Sequence, residues 1–84
     1  MPQRDEDAVL KKMLGAAIRS ARNAKGLTLE SLAERSGLHR TTIQKIESGE
    51  RDPRAMTLMS LAKGLGVEPG ALMNKGAWDH CSNF

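Results

Sequence analysis

Apolar side chains recur along this chain at steps of three and four residues, and single glycines at 26, 37, 49 and 66 close off the runs they form. That spacing limits the fold more than any other feature, because it places the apolar residues on one face of a helix turning about 100° per residue. Leu10, Leu14, Ala17, Ile18 and Ala21 mark a first helix over about 8–25, with Gly26 as its stop. Thr28 offers a hydroxyl cap to a short second helix whose inner side is Leu29, Leu32 and Ala33, with Glu30 suiting its positive end. Beyond Gly37 and Leu38 a third helix carries Ile43 and Ile46 and ends at Gly49, after which Asp52-Pro53 turns the chain. A fourth, over about 55–65, carries Met56, Leu58, Met59, Leu61, Ala62 and Leu65, and a short fifth follows Pro69 with Ala71, Leu72 and Met73. Residues 1–8 show no apolar face and read as a flexible lead or the frayed start of the first helix.

With one Trp and one Phe, the core of such a bundle has to come from Leu, Ile, Met and Ala, a composition that favours helix over sheet. Eighty-four residues suit one domain and leave no room beside it for a catalytic or sensing domain. The expected organisation is a lead over 1–8, a helical domain over 9–76 and a tail over 77–84. Cys81 has no partner for an internal disulfide, and no signal peptide or bilayer-length apolar run is present, so a cytoplasmic protein is expected.

Charge is distributed unevenly. Residues 11–54 hold ten Lys/Arg against five Asp/Glu, an excess of five positive charges, whereas the remainder holds three against five. A basic zone of this kind suits a polyanion such as DNA. Catalysis has no support: no paired carboxylates, nucleophile–base set or phosphate-cradling glycine loop occurs, and the protein is not expected to be an enzyme. Asp79, His80 and Cys81 fall short of the four suitably spaced ligands of a structural zinc site, so no metal and no cofactor is expected.

Two short helices joined through Ala33-Glu34-Arg35-Ser36-Gly37-Leu38 form a helix-turn-helix over roughly 28–48, the unit that presents its second helix to the DNA major groove. The small Ala33 lets the two helices approach, and Gly37 permits a turn that a side chain would oppose. If Ile43 and Ile46 face inward, Thr41, Gln44, Lys45 and Ser48 occupy the opposite face, and Arg40 projects from the leading end.

The string Gly15-x-x-Ile18-Arg19-x-x-Arg22, then Gly26-Leu27-Thr28-Leu29-Glu30-Ser31-Leu32-Ala33, Gly37, Ile43, Ile46-Glu47-Ser48-Gly49, Pro53 and Leu65-Gly66-Val67 resembles the phage-repressor and Cro-like (Xre) helix-turn-helix family. The resemblance covers about residues 13–73 and implies an all-α, five-helix, lambda-repressor-like DNA-binding domain. By position it implies base contacts from Arg40, Thr41 and Lys45, with Gln44 on the same face. Backbone contacts are expected from His39, Thr42, Ser48, Arg51 and Arg54, and at the start of the second helix by Thr28. Arg22 and Glu47 match a partly buried salt bridge tying the first helix to the third. The chain departs from the family at Leu29, where many relatives carry a phosphate-clamping Gln, and at His39, where many carry a capping Ser or Thr.

One recognition helix supplies about three base-reading side chains, each worth about 1–3 kcal/mol of discrimination, whereas specific binding stands roughly 4–10 kcal/mol above non-specific binding. A homodimer on an inverted repeat, with half-sites about 10 bp apart, closes that gap. The resemblance places the dimer interface on the fifth helix and tail, at Leu72, Met73 and Trp78. The expected function is a transcriptional regulator, repressing or activating by occupying its operator. The alternatives are an antitoxin or other module that binds a protein partner and autoregulates through DNA, and an interaction domain that has lost DNA binding.

Overall fold

The computed structural model describes residues 2–73, which form five α-helices: α1 (Pro2–Ala24), α2 (Leu29–Ser36), α3 (Arg40–Glu47), α4 (Ala55–Leu65) and α5 (Pro69–Met73). Trp78, Asp79, His80, Cys81 and the rest of the tail lie outside the described residues, as does the side chain of Met73.

α1 starts well before the apolar pattern does. Proline at the first helical position gives up no helical hydrogen bond, so the chain can enter the helix at Pro2. Periodicity could not reveal this segment because Glu6, Asp7 and Ala8 are all exposed, with no apolar stripe to mark the helix.

The five helices close around Ile18, Leu32, Ile43, Ile46, Leu61, Ala62, Leu65 and Leu72, each at most 3% exposed. Leu14, Ala21, Leu27, Leu29, Ala33, Leu38, Leu58 and Val67 pack against that cluster from its edge. The buried apolar side chains of α1 to α4 all belong to the three-and-four pattern. Two methionines of α4 do not share in the burial: Met56 is 75% and Met59 51% exposed. At about 100° per residue Leu58, Leu61, Ala62 and Leu65 form one stripe, and Met56 falls almost opposite its centre with Met59 at its flank.

Two helix pairs meet at glycines. α2 lies against α4 at Gly64, where a Cβ would stand 3.1 Å from Leu32 Cδ1 and from the Ser36 backbone nitrogen. A glycine that costs α4 about 1 kcal/mol of helix propensity thus permits the α2–α4 contact. The tighter contact is at Gly15 of α1, where a Cβ would stand 2.6 Å from the Glu47 carbonyl oxygen and closer still to that of Ile46. The obstacle there is backbone, which cannot swing aside as a side chain can.

Gly15→Ala is therefore expected to destabilise the fold by about 1–3 kcal/mol or more, despite alanine's better helix propensity. Urea unfolding followed by circular dichroism measures it, and an unchanged midpoint would show that α1 and α3 do not approach as described.

Candidate nucleic-acid interface

α2, the turn after it and α3 are held by local chemistry at each junction. The Thr28 hydroxyl oxygen accepts from the Ser31 backbone N–H at 3.0 Å, capping α2. Gly37 ends α2 in the left-handed region (φ 77°), and its N–H donates to the Ala33 carbonyl at 2.9 Å. That conformation would strain any residue with a Cβ, so the turn depends on glycine. α3 starts at His39 without a side-chain cap, in keeping with histidine standing where the family resemblance expects Ser or Thr.

On α3, Ile43 is 0% and Ile46 1% exposed, which fixes the helix about its axis. Arg40, Thr41, Gln44, Lys45 and Ser48 are all exposed, as the wheel predicts, whereas Thr42 is half-buried at the boundary. The face carries two cations, an amide and hydroxyls, a set that can both donate to and accept from base edges.

Arg22 of α1 locks α3 from behind. Its Nε donates to Glu47 Oε2 at 2.8 Å and its Nη2 to Glu47 Oε1 at 3.0 Å, while Nη1 donates to the Leu27 carbonyl at 2.9 Å. One guanidinium thus ties together α1, the end of α3 and the loop leading into α2. The hydrogen bond to Glu47 holds the Arg22 guanidinium above the ordinary arginine value; partial burial opposes this and ionic attraction adds to it. A raised value gives stability at every pH below the ordinary arginine range, lost only as pH climbs through the raised value, so Arg22 stays charged throughout neutral pH.

Three features of the surface were not legible in the sequence. Arg40 Nε forms an ion pair with Glu30 Oε2 at 3.2 Å, across the helix-turn-helix from α3 to α2. Arg35, read as solvated surface, donates from Nε to the Gly64 carbonyl at 2.7 Å and braces α2 against α4. Thr57 joins Thr42, Ile46, Arg51, Asp52, Pro53 and Arg54 around an open cleft of about 360 Å³ between α3 and the start of α4. Thr57 lies on α4, outside the helix-turn-helix, and only folding brings it to Thr42.

Other expected site residues take more qualified places. His39, Arg51 and Arg54 are exposed. The Ser48 hydroxyl is within donating range of both the Lys45 carbonyl at 3.0 Å and Glu50 Oε2 at 2.9 Å, and its single proton can serve one of them at a time. The Thr28 hydroxyl donates to Ser31 Oγ at 2.9 Å besides capping α2. Leu72 requires a correction. At 3% exposure it is part of the chain's own core, so its side chain has no surface left for a partner.

Residues 18–72 match the HTH_3 family, described as helix-turn-helix. The chain is 42% identical over 66 residues to control protein C.SmaI of Serratia marcescens, a match covering 79% of each chain. Among solved structures, the restriction-modification controller protein C.AhdI from Aeromonas hydrophila superposes with a TM-score of 0.73 at 37% identity, over 74% of this chain and 94% of that one. The clp gene regulator ClgR from C. glutamicum superposes with a TM-score of 0.77 at 33% identity, over 83% and 91%.

Removing one member of the Arg22–Glu47 pair leaves the other charge stranded in a site where the two side chains are only 12% and 7% exposed. Glu47→Ala is expected to cost about 3 kcal/mol, and Arg22→Lys is expected to recover little of the stability because an ammonium cannot bridge both carboxylate oxygens and the Leu27 carbonyl. Thermal melts of the two variants check this. A loss below 1 kcal/mol in both, on the scale of an exposed pair, would assign the docking of α3 to the apolar core alone.

Proposed function

The chain belongs to the HTH_3 helix-turn-helix family of DNA-binding regulators, and on that premise we propose that it reads operator DNA as a homodimer bound to an inverted repeat. The observation that carries the reading is the exposed polar face of α3, fixed from behind by Ile43, Ile46 and the Arg22–Glu47 pair. A helix held in this way enters the major groove already positioned, so its backbone loses little further freedom on binding.

In this reading Arg40, Thr41, Gln44 and Lys45 meet base edges. Arg40 suits guanine O6 and N7, Lys45 donates to the same kind of edge, and Gln44 matches adenine N6 and N7. His39 and Ser48 flank them at the two ends of α3, and Thr28 stands at the start of α2, where a phosphate is favoured by the helix dipole. The cleft of Thr42, Arg51, Arg54 and Thr57 offers two guanidinium groups and two hydroxyls to one further phosphate, against the single carboxylate of Asp52. Contacts of this second kind set register and affinity; the α3 contacts set sequence.

A second copy of the chain needs a surface other than Leu72. Met56 and Met59, less than one turn apart on the outer side of α4, are the two most exposed large apolar side chains among the described residues, and burying them supports the dimer. The controllers named above make restriction-modification genes the setting to test first for this regulator. No described helix is long and apolar enough to cross a membrane.

Selection of bound duplexes from a random pool at fixed salt is expected to return an inverted repeat, with Arg40→Ala and Lys45→Ala each relaxing preference at one base pair per half-site by about 1–3 kcal/mol. Sequence-blind binding would remove the operator reading and turn attention to a protein partner. In sedimentation, the double variant Met56→Glu, Met59→Glu is expected to be a folded monomer where the wild type is a dimer. Both side chains are exposed, so the fold should tolerate the change, and a variant that stays dimeric would place the interface elsewhere.

A further inference from the structure

The Arg40–Glu30 pair is unusual in where it lies. Arg40 is the leading side chain of the helix proposed to read bases, and its one ionic partner among the described residues is a carboxylate on the neighbouring helix. Glu30 is 69% exposed and Arg40 57%, so neither is held by burial, and the pair stands on the open surface that DNA would cover. An anion at that place repels phosphate, and a glutamate in the first turn of α2 serves the helix dipole equally well whether or not it touches Arg40. Its contact with Arg40 therefore calls for a reason other than helix stability.

The contact involves Arg40 Nε, and no protein group holds Nη1 or Nη2 among the described residues. A guanidinium presents its donors along two edges: one edge pairs Nε with one terminal nitrogen, and the other pairs the two terminal nitrogens. Glu30 occupies the Nε side and leaves the terminal fork free, the edge that can make two parallel hydrogen bonds to guanine O6 and N7.

We propose that Glu30 is a specificity-determining positioning residue, which neutralises Arg40 toward phosphate and aims its terminal fork at a G·C base pair. The inference rests on the DNA-reading function proposed above. A free arginine at the end of a recognition helix swings to whatever phosphate is nearest and adds affinity for every sequence alike. With Glu30 alongside, that long-range attraction is cancelled, and Arg40 adds to binding only where a base edge offers two acceptors in the plane of its fork. As the groove closes over the pair and water leaves, the ionic contact strengthens, so positioning is firmest in the bound state.

The test uses the salt dependence of binding to a random-sequence duplex, which requires no knowledge of the operator, measured on the full chain as wild type, Glu30→Gln, Arg40→Ala and the double variant. Each phosphate neutralised contributes about 0.9 to the slope of log affinity against log salt. The double variant is expected to share the wild-type slope, because both are uncharged at this place, whereas Arg40→Ala alone leaves the Glu30 carboxylate unpaired against phosphate. In the Glu30→Gln background the same substitution is expected to lower the slope by about 0.9. Glu30→Gln alone is expected to raise affinity for random duplex and, on the duplexes selected as described above, to reduce discrimination at the base pair read by Arg40 about threefold to tenfold, a loss of discrimination absent when Arg40 is already alanine. All four proteins should melt alike, since an exposed pair adds little to stability. If the slope of the double variant lies about 0.9 below that of the wild type, Arg40 contacts phosphate with Glu30 present and the proposal is wrong while DNA binding stands. If the wild type binds no duplex at all, the regulatory reading and this inference fall together.

Discussion

The approach of α1 to α3 is the constraint on which the rest of the molecule depends. Gly15 removes the side chain that would hold the two backbones apart, Ile18 fills the space one turn on, and Arg22, a further turn along, reaches the Glu47 carboxylate with two of its nitrogens. These three residues share one face of α1 because their spacing is three and then four. Backbone contact, apolar burial and a charged hydrogen-bonded pair are thus stacked in order along a single interface. α3 has only eight residues, too few to be stable as an isolated helix in water, so its position and its helicity are both supplied by this docking.

The division of labour on the surface follows from that arrangement. The inner side of α3 is spent on Ile43 and Ile46, and its outer side carries only side chains that hydrogen-bond. α1 and α2 brace it, α1 through the contact just described and α2 through the glycine turn at Gly37. Arg35 is exposed but contributes to the bracing, because its Nε donates to the Gly64 carbonyl. Three arginines in one small domain therefore do three different things. Arg22 is structural, Arg35 joins α2 to α4, and Arg40 is exposed and paired with a carboxylate that a base or phosphate would have to compete with.

Much of this was legible in the sequence, and the legible part has a common cause. Helices α2 to α5 follow from apolar periodicity and glycine stops, signals that act within a few residues of chain. The buried set apart from Leu72 follows for the same reason, as does the exposed face of α3 once Ile43 and Ile46 are turned inward. The Arg22–Glu47 pair was expected from family resemblance, since nothing local links residues 25 positions apart. Periodicity failed in two places: the first turns of α1 have no buried face to mark them, and the methionines of α4 share a helix with the core stripe but not its side. The resemblance, for its part, assigned Leu72 to a partner, whereas the monomer itself buries it.

The sequence by itself determined an all-helical domain with a basic helix-turn-helix, because helix formation, capping and the direction of a side chain on a helix are set by neighbours a turn or two away. Only the tertiary structure decided what stands beside the exposed cations, since Arg35 and Arg40 look alike along the chain and differ in what folding places next to them: a carbonyl of α4 and a carboxylate of α2. It also decided that Thr57 joins Thr42 and that Leu72 belongs to the core. Those outcomes depend on distances between residues remote in sequence, which no local preference encodes.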